Sequence, residues 1–103
     1  MKVLVEGHRY RLAFFEDATK FIEVQFIDKK PVTVSTKELV TKEDGVSNEE
    51  VIAMLIDRMK YLDKKMPGIE NEHALQHLME AAHWLKARTE DRIARGVEGT
   101  SIR

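Results

Sequence analysis

Two hydrophobic periodicities divide the chain near its middle. Up to about residue 45 apolar residues recur at every second position in short runs, the spacing of strands. From Ser47 onward they recur every three or four, the spacing of helices. Lys2-Val3-Leu4-Val5 is followed by Glu6-Gly7 and then by His8 to Phe14. This predicts a hairpin closed by a two-residue turn, because glycine accepts the positive φ that such turns need. Tyr10, Leu12 and Phe14 share one face with His8, and Arg9 and Arg11 take the other. Phe15 to Thr19 reads as a loop. Lys20 to Ile27 reads as the clearest strand, with Ile22, Val24 and Phe26 on one side. Asp28-Lys29-Lys30-Pro31 ends it, Val32–Ser35 and Leu39–Thr41 are two further short strands, and Lys42 to Gly45 is a polar linker.

Ser47-Asn48-Glu49-Glu50 then forms a capping box, and its acids suit the positive end of a helix dipole. Val51, Leu55, Met59, Leu62 and Met66 make one helix stripe, widened by Ile52 and Ile56. Pro67-Gly68 stops this helix. A second begins near Asn71, a good N-cap residue, with a stripe of Leu75, Leu78, Ala82, Leu85 and Thr89 continued by Ile93. Ala74, Ala81 and Trp84 lie beside that stripe, and the small alanines allow another helix to approach closely. The break between the helices is short, so they pack antiparallel. The pattern therefore predicts an α+β fold in a single domain over 1–103. A small N-terminal antiparallel β-sheet over 1–45 precedes a two-helix hairpin over 47–95 and a tail over 96–103. In the tail, Gly96 is a helix C-cap and Gly99 a turn. Two long helices carry more apolar surface than one β layer of short strands covers, which predicts self-association through the hairpin.

Composition narrows the functional classes. The 103 residues hold 17 Lys and Arg against 18 Asp and Glu, a net charge of −1. Without an overall positive field, non-specific DNA binding is disfavoured, and any anion site must be local. No cysteine is present, which removes disulfides, thiolate metal sites and a cysteine nucleophile. The apolar start is too short for a signal peptide, and no run reaches membrane length.

No nucleophile elbow, phosphate-binding glycine loop or paired-acid motif is seen, so no catalytic residue and no cofactor are expected. His73, His77 and Glu80 share a helix face at a spacing that suits zinc or ordinary exposed side chains. There is no His-Glu-x-x-His motif, and no metal site is expected. Arg88, Arg92 and Arg95 recur at i, i+4, i+7. They form either a salt-bridged helix end, with Asp91 relieving Arg95, or a grip on an anion. Arg9 and Arg11 admit the same two readings, a solvated strand face or an anion contact. Tyr61 lies off the apolar stripe, as a cap on the core edge or a ring on which a nucleobase stacks.

Several fragments, taken in order, resemble a known family. They are Asn48-Glu49-Glu50-Val51, Leu55-Ile56-Asp57-Arg58-Met59, Pro67, Glu70-Asn71, Trp84-Leu85, Arg88-Thr89-Glu90-Asp91-Arg92 and Arg95-Gly96-Val97-Glu98-Gly99-Thr100. Together with the opening Met1 to Tyr10 they resemble the Thoeris anti-defence family of phages, nucleotide sponges that share a helical hairpin with the anti-CBASS sponge family. The resemblance implies a non-catalytic protein that sequesters glycocyclic ADP-ribose, a cyclic ADP-ribose isomer made by bacterial TIR enzymes, in the host bacterial cytoplasm. It also implies cyclic oligonucleotides as a second ligand class, and dimers or higher homo-oligomers. Its ligand contacts fall on Tyr61, Asn71 and Arg88, with Arg92 and Arg95 as further candidates. The turn departs from the family pattern, with Met66, Gly68 and Ile69 where Phe, Cys and Arg are frequent.

Asn71 and Arg88 lie 17 residues apart on one predicted helix, about 25 Å by helical rise. One small nucleotide cannot touch both within one chain, so the expected pocket is shared between protomers. Two other functions stay open on the residues: an enzyme hydrolysing the signal through His73, His77 and Glu80, and an adaptor that binds protein through the hairpin without a small ligand.

Overall fold

A computed structural model describes residues 1–32, 38–96, 98, 100 and 101. The fold is α+β: antiparallel strands precede two helices. The chain divides into two compact units, Met1–Ser47 together with the tail around Thr100, and Asn48–Glu98.

In the first unit, β1 (Lys2–Val5), β2 (Arg9–Ala13) and β3 (Phe21–Gln25) form a sheet in that order. The β1–β2 connection holds Glu6, Gly7 and His8, one residue longer than the pattern predicts. The His8 N–H donates to the Val5 carbonyl at 3.0 Å, and Gly7 takes φ +76°. The extra residue comes with a shift in register between Val3 and Val5. Across β2–β3, Tyr10 faces Val24 and Leu12 faces Ile22, while Arg11 faces Glu23. The Arg11 guanidinium donates to Glu23 Oε1 at 3.3 Å and lies 3.9 Å from the centre of the Phe21 ring. Tyr10 and Phe26 meet edge to face at 5.8 Å, the arrangement that aromatic quadrupoles favour.

The sheet arrangement departs from one continuous β layer. β3 ends at Gln25: the Phe26 N–H still donates to the His8 carbonyl, in register with β2, but the Ile27 N–H turns to the Val46 carbonyl. A second, two-stranded sheet pairs β4 (Asp28–Pro31) with β5 (Leu39–Glu43). Asp28 to Pro31 is thus a strand and not a stop. Backbone pairing with β5 overrides its polar composition, and both strands are edges, where lysine and proline are tolerated. Val32 follows as a bend, and Thr33 to Ser35 of the predicted strand lie outside the described residues. Lys42 and Glu43 join β5, which shortens the linker. Gly45 is required sterically: a Cβ there would collide with the Gln25 carbonyl, against which Val46 N–H bonds at 2.8 Å.

In the second unit, α1 (Asn48–Lys65) starts directly after Ser47, as the capping box predicts. It is followed by Met66-Pro67-Gly68 and by α2 (Ile69–Ala94). The two helices pack together as a hairpin. α2 starts earlier than Asn71. Gly68 takes the N-cap position with extended backbone and no side-chain cap, so Asn71 falls in the first turn. At the other end Gly96 adopts φ +71° and donates to the Ile93 carbonyl at 3.0 Å, the C-terminal glycine ending read from the sequence. Gly99 lies outside the described residues.

The half-buried side of α2 carries Leu75, Leu78, Ala82, Leu85 and Thr89, as predicted. Its continuation is Arg92 and not Ile93, which is 61% exposed. On α1 the half-buried positions are Val51, Ile52, Ile56, Met59, Leu62 and Asp63. Leu55 turns outward, and Met66, past the helix end, is 77% exposed. A helix with one helical neighbour buries a narrower line than its apolar residues span. Among the described residues no hydrophobic side chain is fully buried.

Candidate functional site

The closed end of the hairpin holds two of the three residues singled out as ligand contacts. Tyr61 stands near the end of α1, 55% exposed. The Lys65 ammonium, one turn later, lies 4.8 Å from the centre of its ring. One π-face of Tyr61 therefore meets a cation while the ring keeps a large open surface, a platform on which a flat heterocycle can stack. Asn71 sits in the first turn of α2, and its side-chain amide donates to the Met66 carbonyl at 3.5 Å. Its side-chain oxygen remains an acceptor. The Gly68 N–H donates to Asp63 Oδ1 at 3.3 Å, which ties the turn to α1. Lys65 was not singled out in the sequence, although its i+4 spacing from Tyr61 was the signal available.

Arg88 is not brought to this end. It lies on the same unbroken α2, 17 residues beyond Asn71, a separation of about 25 Å. Arg88 is exposed and has no ion-pair partner among the described residues. Its neighbours are engaged within the chain. Arg95 Nε donates to Asp91 Oδ2 at 3.0 Å, the relief expected from the sequence. Arg92 is 6% exposed, and its Nε donates to Glu98 Oε2 at 3.2 Å. The three arginines thus have different environments: Arg88 is open, Arg95 paired at the surface and Arg92 buried but paired with an exposed carboxylate. The repeat spacing cannot separate them, because Glu98 reaches Arg92 only through the turn that Gly96 makes.

His77 Nδ1 approaches Glu80 Oε2 at 3.6 Å, both well exposed. His83 contacts Trp84 edge to face at 5.5 Å. No group of three metal-ligating side chains is gathered among the described residues. In the first unit His8 is bracketed by the Glu6 carbonyl at 3.0 Å and Asp28 Oδ1 at 3.1 Å. Arg11 is taken up by Glu23 and Phe21, a structural use of that cation. No helix among the described residues is long and apolar enough to cross a membrane.

The exposed surface of α2 is mostly polar, with Met79, Trp84 and Ile93 standing among charged and histidine side chains. A shallow groove of about 430 Å³ runs along Leu75, Met79 and His83, flanked by Glu72 and Glu80. On another side Trp84 is 70% exposed.

No family model matches the chain. Over 58 residues it is 47% identical to a protein named Thoeris anti-defense 1 from Bacillus phage SBSphiJ7. The match takes in 55% of this chain, which spans 41% of the length of that curated relative. Over that stretch the chain is thus similar to a protein that carries the name of the family its fragments resemble.

Proposed function

We propose that this protein counters Thoeris immunity as a phage anti-defence sponge. It binds and sequesters glycocyclic ADP-ribose-type nucleotides made by bacterial TIR enzymes, and does no chemistry on them. The observation that carries this reading is the likeness to Thoeris anti-defense 1. The geometry supports it at one point: an exposed aromatic platform at Tyr61 lies beside a cation at Lys65, near an amide at Asn71. Tyr61 stacks on the adenine, Asn71 hydrogen-bonds a sugar or base edge, and Arg88 pairs with the diphosphate as a planar donor. Because Arg88 is remote from Asn71 along α2, it comes from a second copy of the chain, and the pocket is shared in a homo-oligomer. The site of action is the host bacterial cytoplasm.

A sponge must hold its ligand at low signal concentration, which sets the expected affinity near nanomolar, about −12 kcal/mol. The test is to incubate the protein with the TIR product, remove free nucleotide, denature the protein and analyse what is released. Intact nucleotide is the expected result. An altered nucleotide would show an enzyme, and no uptake would overturn the ligand assignment and leave a protein-binding adaptor. Replacing Tyr61 with Ala should weaken uptake by about 1–3 kcal/mol, the range for one stacked base.

A further inference from the structure

The first sheet carries a charged recess that the nucleotide reading does not use. Strand alternation puts Lys2, Arg11 and Ala13 on one face with Phe21 and Glu23. In register, Lys2 lies directly opposite Arg11, and the small Ala13 lies opposite the large Phe21. The alanine leaves a hollow beside the ring, and the β2–β3 loop adds Ala18 and Thr19 to its wall. That loop is held by the Phe14 N–H donating to the Lys20 carbonyl at 2.8 Å and the Lys20 N–H to the Asp17 carbonyl at 3.0 Å. The recess measures about 360 Å³, within the size range of small-molecule sites.

Its charge is one-sided. Lys2 and Arg11 line it, and no carboxylate does. Asp17 accepts from both the hydroxyl and the N–H of Thr19, so the Thr19 hydroxyl has no proton left for a ligand. Glu23 meets Arg11 from outside the recess, at 3.3 Å. Like charges directly opposite each other on neighbouring strands repel. Glu23 offsets that repulsion for Arg11. Lys2 is exposed and has no ion-pair partner among the described residues.

The Arg11 guanidinium is held in place but not used up. Its centre lies 3.9 Å from the centre of the Phe21 ring, which keeps it beside the recess. Glu23 engages it through Nη2 and leaves the rest of its donors to a second anion. Arg11 Nε is closed off from solvent and has no hydrogen-bond partner among the described residues. A buried donor left unmade is a standing cost, and a pair of anion oxygens along one edge of the guanidinium removes it.

We propose that this recess binds a small phosphate monoester with a flat apolar body. The phosphate oxygens sit between Lys2 and Arg11, and the body rests on Ala13, Ala18 and Phe21. Two cations match a doubly charged phosphate better than a singly charged carboxylate. The recess holds more than a bare phosphate, and its remaining wall is apolar. Every residue of the site belongs to the first compact unit, whereas Tyr61, Asn71 and Arg88 belong to the second. The site therefore stands apart from the nucleotide reading above.

Phenyl phosphate is the probe. The full chain is titrated with it near neutral pH and followed by NMR, including the Arg11 Nε–H signal. Saturable shifts of that signal and of the Ala13 and Thr19 amides are expected, with a Kd of about 1 mM or below. Benzyl alcohol has the ring without the charge, inorganic phosphate the charge without the ring, and benzoate one charge fewer. Each should bind more weakly. Lys2→Gln should raise the Kd for phenyl phosphate up to about fivefold, the scale of one exposed charge pair. Glu23→Gln removes the competing carboxylate and should lower it. Both residues are exposed, and unchanged amide signals outside the sheet show that the fold is kept. A Kd above about 10 mM, a control that binds as tightly as phenyl phosphate, or two variants that move the affinity in the same direction overturns the site.

Discussion

Arg92 and Arg95 stand three residues apart at the end of α2 in opposite surroundings. Arg92 is buried against Glu98, and Arg95 is a surface pair with Asp91 one turn back. Replacing Arg92 with Ala strips a buried donor from its carboxylate and leaves a gap, and should cost about 1–3 kcal/mol. The Arg95→Ala loss should stay within about 0.5 kcal/mol, because exposed i, i+4 pairs are screened by water. Urea unfolding checks both, and equal losses would contradict the assignment of Arg92 as a structural anchor. Asp17 shows local chemistry of another kind. Its Oδ1 accepts from the Thr19 hydroxyl and from the Thr19 N–H. The hydroxyl first and the backbone N–H second hold its carboxyl below the usual carboxylate range. A carboxyl lowered on folding adds stability above its unfolded value, about 3.9. That stability is lost as pH falls through the lower folded value. Thr19→Val removes the larger cause, so the Asp17 titration followed by NMR should move upward. A titration that stays where it was would show that the hydroxyl has no part in it.

The elements are ended by backbone geometry more than by side chains, and α2 shows this at both termini. Gly96 holds φ +71°, a conformation that costs an L side chain about 1–2 kcal/mol. Gly96→Ala should destabilise the protein by about 1 kcal/mol. At the other end Gly68 is an N-cap with ordinary extended backbone, and a Cβ there meets nothing closer than Glu70 Oε2 at 3.8 Å. Gly68→Ser supplies the missing cap oxygen and should stabilise by a few tenths of a kcal/mol. Opposite signs for two glycine substitutions in one helix, read from thermal unfolding, check that φ and not glycine content decides the outcome. The strands repeat the point. Alternation located β1, β2 and β3, but Asp28–Pro31 became β4 because Leu39–Glu43 pairs with it.

At the scale of the molecule, none of the described hydrophobic side chains is buried within a single chain, while Met54, Met79, Trp84 and Ile93 stand well exposed. The second copy proposed above would complete that burial and make stability depend on protein concentration. The midpoint of thermal unfolding should therefore rise as the protein is concentrated across the micromolar range. A midpoint independent of concentration would place the missing burial inside one chain.

The Ser47–Gly99 stretch marks the boundary between what sequence and tertiary structure each decide. Ordered along the chain, the residues alone determine the α+β class, the start of α1 after Ser47, the break at Pro67-Gly68 and the ending at Gly96, because caps and breakers act within a few residues. The stripe of α2 was legible for the same reason, through Thr89. What lay beyond local reach was decided in three dimensions. Arg92 replaced Ile93 on the inner side because Glu98 returns to meet it. Asn71 became a first-turn residue because Gly68 took the cap. The arginine repeat separated into open, paired and buried members, since periodicity fixes a side chain's direction but not what stands there to receive it.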